Sequence, residues 1–168
     1  MAQTAPYEET HIVDSLLHNN WKRVFFGGVC GILSGLLLLF LSTFIRPVGT
    51  NTVWFLQLMA TFCHGGDALA FAAPSAVIMS GAIFHFTLSL INGLVFGKMT
   101  KSHSPKRLAG YGLVLGGLCW LASNMFAPDF VSIQGLANLG QWMRVFLFVS
   151  FGVSLGLFMS LASKVFSL

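Results

Sequence analysis

Long uninterrupted apolar runs recur four times along this chain, separated by short stretches that hold most of its polar residues. The runs Val24–Ile45, Ser75–Gly97, Leu108–Ala127 and Val145–Phe166 each approach the roughly 20 apolar positions needed to cross a hydrocarbon layer. A bilayer offers the backbone no hydrogen-bond partners, so each run is expected to be helical. The predicted fold class is an all-α integral membrane protein, one domain over residues 1–168. Four transmembrane helices would form a compact glycine-packed bundle, with short interfacial helices at the N-terminus and in the outer loops.

The pattern changes between residues 52 and 73. This stretch is hydrophobic enough to suggest a fifth span, yet His64-Gly65-Gly66-Asp67 interrupts its middle. Inserting Asp67 at mid-membrane would cost about 2.5–3.5 kcal/mol. The alternatives are an interfacial helix, a re-entrant segment or a fifth span, and the sequence favours the first. An amphipathic helix over 53–63 would set Trp54, Phe55, Leu58 and Phe62 against lipid, with Gln57, Thr61 and His64 on its polar side. Gly65-Gly66 would end it, Asp67 would cap a next short helix, and Pro74 would mark a kink or restart before the second span. Similar short surface helices are expected over 8–18 and 130–139. Trp21, Trp54 and Trp142 fall where interfacial aromatics are expected.

Charge placement sets a direction. Lys22, Arg23, Lys98, Lys101, Lys106, Arg107 and Lys164 lie on one side of the four spans, Arg46 and Arg144 on the other. The positive-inside rule then makes both termini cytoplasmic. The acidic start, with Glu8, Glu9 and Asp14 ahead of Lys22-Arg23, does not resemble a cleavable targeting peptide, so the first apolar run is expected to stay as a span.

Composition agrees with this reading and excludes other classes. The chain is 55% hydrophobic and 8% charged, with a mean hydropathy of +0.79. Soluble domains carry about 25% charged residues. No basic cluster is interleaved with exposed aromatics, so no nucleic-acid partner is expected. Cys30, Cys63 and Cys119 form no disulfide framework.

Glycines four residues apart mark every span: Gly27, Gly31 and Gly35, then Gly93 and Gly97, then Gly112 and Gly116, then Gly152 and Gly156. Small residues at this spacing let helix backbones approach closely, within the chain or against a partner subunit. Trp21-x-Arg23-Val24-Phe25 recurs as Trp142-x-Arg144-Val145-Phe146. The four-span arrangement makes these helices antiparallel, so a parallel duplication does not explain the echo.

His85 is the prime candidate for chemistry, because an ionisable side chain at mid-membrane is costly and points to function by default. Helical spacing gathers Gly81, Ser89 and Asn92 with it on one face, within roughly 40°. The group could act as an interhelical polar contact, or as a site for a proton relay, a quinone headgroup or a metal. No second histidine or carboxylate lies in any span to complete a haem or a proton path. Cys63-His64-Gly65-Gly66-Asp67 lacks recognised zinc spacing and reads as a capped turn. Arg46 and Arg144 read as snorkelling to headgroups. No nucleophile–base pair, carboxylate pair or phosphate loop is present, so neither catalysis, a metal nor a cofactor is expected.

The stretch from His85 to Pro128, with Gly93, Gly97, Gly112, Gly116 and Trp120, resembles small bacterial inner-membrane proteins of unknown function. These have four helices, a histidine in one span, a basic turn and a glycine-striped helix ending near a proline. The resemblance covers about a quarter of the chain. It implies a four-helix fold in the bacterial inner (cytoplasmic) membrane and carries no function across. The expected role is a structural or accessory subunit of a larger membrane complex. Its partners would be the lipid bilayer and either other membrane subunits or further copies of itself. The alternative is a small ligand-binding, proton-relay or transport protein built around His85, Ser89 and Asn92.

Overall fold

The fold is that of a computed structural model, which describes residues 7–45, 50–69, 73–101, 104–126 and 141–166. Within these ranges, side chains at 7–19, 65–66, 123–126 and 141 fall outside the description. Among the described residues all regular structure is helical: α1 (Tyr7–Phe44), α2 (Trp54–His64), α3 (Ser75–Met99), α4 (Pro105–Phe126) and α5 (Gln141–Phe166). A short 3-10 turn, Gly65–Leu69, follows α2 directly. The helix expected over 130–139, Arg46, Pro128 and Asp129 lie outside the described residues.

Among the described residues three stretches are long and apolar enough to cross a membrane: Asn20–Phe44, Ser75–Met99 and Trp142–Phe166. Helix α4 has the length, at 22 residues or about 33 Å. It opens on Pro105-Lys106-Arg107, and Tyr111 and its glycines dilute the apolar content that follows. Large hydrophobic side chains such as Phe25, Phe40, Ile83, Val114 and Leu161 point outward. That distribution is inverted relative to a water-soluble bundle and matches a lipid-facing surface.

The surface helix expected over 8–18 is instead the first part of α1, which runs unbroken for 38 residues. No glycine or proline lies between Tyr7 and Phe26 to stop it, so helix propagation continues. Pro74 does restart the chain: it is the N-cap of α3, with extended φ −56° and ψ 148°.

The helices associate as two antiparallel pairs, α1 with α3 and α4 with α5. Each pair closes backbone on backbone. A methyl group on Gly31 would stand 2.9 Å from Gly93 Cα, and one on Gly27 would stand 2.8 Å from Gly97 Cα. On the other seam, a methyl on Gly156 would meet Ala109 Cα at 2.8 Å and one on Gly152 would meet Gly116 N at 2.9 Å. Every one of the nine stripe glycines therefore packs within the chain. The pairs join through α1 and α5, where Phe26 stacks on Phe166 with ring centres 4.3 Å apart. That contact sets the start of the apolar stretch of α1 beside the end of α5, so the two echoing segments run antiparallel.

This pairing gathers one end of the bundle from the start of the apolar stretch of α1, the end of α3, the start of α4 and the end of α5. Lys22, Lys98, Lys101, Lys106, Arg107 and Lys164 are all exposed there. Arg23 is buried among them and donates from Nη1 to the Thr100 carbonyl oxygen at 3.4 Å. A cation at a helix C-terminus offsets the negative end of the helix dipole and occupies carbonyls left without helical donors.

Candidate functional site

The glycine seams occupy only half of the bundle. On α1 the stripe ends at Gly35, facing His85 and Ser89, and on α4 it ends at Gly116, facing Phe148. Beyond these points larger side chains hold the pairs apart. Helices α3 and α4 are consecutive, yet they hardly touch along their length. A polar bridge spans the gap where Cys119 Sγ lies 3.5 Å from Asn92 Oδ1.

Helix α2 packs into the opening, at the end of the bundle remote from the exposed lysines. Its backbone lies on Gly81 of α3, where a methyl group would stand 3.0 Å from Ala60 N. Trp54 Nε1 donates to the Ser42 carbonyl oxygen at 3.0 Å, tying α2 to the end of α1. Phe62 stacks on Phe84 at 4.9 Å. Of the side chains expected to face water, His64 is exposed but Gln57 is 3% and Thr61 1% exposed, whereas Phe62 is 42% exposed. Both faces of α2 are covered over Trp54–Thr61, so it is embedded in the bundle rather than laid along its surface. Thr61 Oγ1 meets the cost of burial by donating to the Leu58 carbonyl oxygen at 2.7 Å. Trp54, expected as an interfacial aromatic, is likewise buried, while Trp21 and Trp142 are exposed at opposite ends.

Between the two pairs, with α2 as one wall, lies a cavity of about 350 Å³. Five aromatic rings line it, Trp54, Phe55, Phe62, Phe148 and Phe151, together with aliphatic side chains such as Leu38, Leu58 and Leu147. His85, Ser89 and Asn92 of α3, Cys119 of α4 and Arg144 of α5 supply the polar groups. The structure thus brings all three sequence candidates to one cavity wall.

His85 is buried, and its Nε2 lies 3.0 Å from the Gly35 carbonyl oxygen. A carbonyl oxygen only accepts, so Nε2 carries the proton, and a neutral ring keeps Nδ1 as its acceptor. Phe55 meets the imidazole edge to face, with centres 5.2 Å apart and planes at 86°. His85 therefore links α1 to α3 and lines the cavity with the same ring. Asn92 donates from Nδ2 to the Leu88 carbonyl oxygen at 2.9 Å, within its own helix. Ser89 packs against Gly35 on the α1 seam.

Arg144 was expected to reach for headgroups; here it is half-buried and lines the cavity from α5. Sequence reading overlooked it, along with Cys119 and the whole α2 wall. One signal was available, since Arg144, Leu147 and Phe151 fall at positions i, i+3 and i+7 of one helical face. Cys30, Cys63 and Cys119 are free thiols. Among the described residues no three potential metal ligands gather. Comparison with known protein families, with curated proteins and with solved structures finds no match for this chain.

Proposed function

We propose that this chain is a four-span membrane protein that binds a small amphiphilic molecule in the cavity between its two helix pairs. Helix α4 serves as the fourth span, because its seam with α5 holds it alongside a helix that is itself long and apolar enough to cross. The exposed basic end faces the cytoplasm and carries both termini, by the positive-inside rule, in a bacterial inner membrane.

The cavity is the observation that carries the binding reading. Its volume of about 350 Å³ falls within the range of small-molecule sites, and a few polar groups converge in a mostly apolar wall. The stripe glycines are spent on internal seams, which weakens the case for a purely structural subunit that would present them to a partner. The expected role is binding, with His85 positioning the wall rather than performing chemistry.

Native mass spectrometry after mild extraction checks this reading. The expected result is a chain carrying one bound amphiphile that is lost when Leu147→Trp fills the cavity. An empty chain recovered only inside a larger complex would favour the accessory-subunit role instead.

A further inference from the structure

Resting on that binding reading, we infer that the cavity selects a quinone-type ligand, a flat apolar ring with carbonyl acceptors at opposite edges, taken up from the lipid between α3 and α4.

The walls supply the argument. Five aromatic side chains, Trp54, Phe55, Phe62, Phe148 and Phe151, offer faces and edges to a conjugated ring. An acyl chain would need no such enrichment and no polar groups. The polar groups stand on opposing helices, with Ser89 and Asn92 on α3 and Arg144 on α5. Ser89 carries a hydroxyl donor, and Asn92 keeps a second amide N–H beyond the one given to Leu88. Arg144 carries five N–H donors and lines the cavity from α5. Among the described residues no carboxylate lines the cavity, so no anion there repels the carbonyl oxygens of a neutral ring. His85 is already committed through Nε2–H to Gly35, so it serves the ligand mainly by fixing the wall.

The route follows from the same geometry. Of the lining residues, Leu88 of α3, Ala122 of α4 and Phe62 of α2 are exposed. They frame a mouth on the lateral surface, where α3 and α4 stand apart and the Asn92–Cys119 bridge crosses. A ligand dissolved in the bilayer reaches this mouth without passing through water.

Trp54 lines the cavity and gives a direct readout, because quinones quench indole fluorescence on contact. The triple variant Trp21→Phe, Trp120→Phe, Trp142→Phe retains Trp54 alone, and its thermal melting in lipid nanodiscs checks that the bundle persists. Titration with a decyl-substituted benzoquinone is expected to quench Trp54 saturably. Arg144→Gln should weaken the apparent affinity by about tenfold, the loss expected of a hydrogen bond to a charged donor. Cys119→Phe, which narrows the mouth, should abolish saturation while melting stays unchanged.

Quenching that rises linearly, and equally in a control retaining only the exposed Trp142, would overturn the quinone assignment. Saturable quenching by a nitroxide-labelled fatty acid but not by the quinone would overturn it too, while leaving the cavity as a binding site. Saturation by neither compound would remove both this inference and the binding reading beneath it.

Discussion

The seam between α1 and α3 and the gap between α3 and α4 use the same helix to opposite ends. Along its Gly93–Gly97 stretch, α3 meets α1 with no side chain between the backbones. Toward α4 it presents Leu88 and Asn92, and a sulfur–amide bridge crosses. Lipid tails are as apolar as leucine, so no hydrophobic drive pulls membrane helices together. Close van der Waals approach does, and only small residues permit it. Where glycine gives way to Leu, Asn, Cys and Phe, the helices stand apart and a cavity results. Stability and site are therefore partitioned along the length of the bundle, with closed seams at the basic end and an open aromatic chamber at the other.

The largest test of that contrast lies in the seams. Gly93→Leu or Gly152→Leu should cost about 3 kcal/mol or more, because the displaced atoms are backbone and cannot yield. Unfolding in detergent followed by circular dichroism measures it, and wild-type melting in either variant would refute backbone-on-backbone packing. Next in size is His85→Ala, which removes the bond to the Gly35 carbonyl. The expected loss is about 1–2 kcal/mol, partly restored in His85→Gln, whose amide can donate. If neither substitution alters the melting, the imidazole does not link the helices.

Arg23→Gln should cost about 1 kcal/mol or less by removing the buried cation from the Thr100 carbonyl at the end of α3, and Arg23→Lys should recover part of that. The smallest effect has the opposite sign. Gly117 lies beside Gly116 on α4, yet a methyl group there meets nothing within 4 Å. Gly117→Ala should be neutral or stabilise by up to about 1 kcal/mol through helix propensity, while Gly116→Ala destabilises. Comparable damage from both would show that the open face of α4 packs against another chain, which would restore the accessory-subunit reading.

Much of the architecture was legible in the sequence, because lipid imposes it locally. Helix positions at α3, α4 and α5 follow from apolar run length, and the stripe glycines follow from their spacing. His85, Ser89 and Asn92 share a cavity wall because helical periodicity already placed them on one face. Helix α2 was legible as a helix but not in its burial. Gln57 and Thr61 look like a water-facing side, yet α2 sets its backbone against Gly81, at least twenty residues away, and both side chains are buried. Arg144 was misread for the same reason, since a position near a helix end fits snorkelling as well as it fits an inward turn.

The sequence by itself determined that the chain is helical and membrane-suited, and which helix faces allow close approach. These depend on backbone satisfaction in lipid and on side-chain size, both properties of a single segment. Only the tertiary structure decided which seams close, that α2 is embedded among the helices, and that α3, α4 and α5 contribute polar groups to one cavity. Such outcomes depend on which surfaces meet, and a pattern read along one helix carries no information about its neighbour.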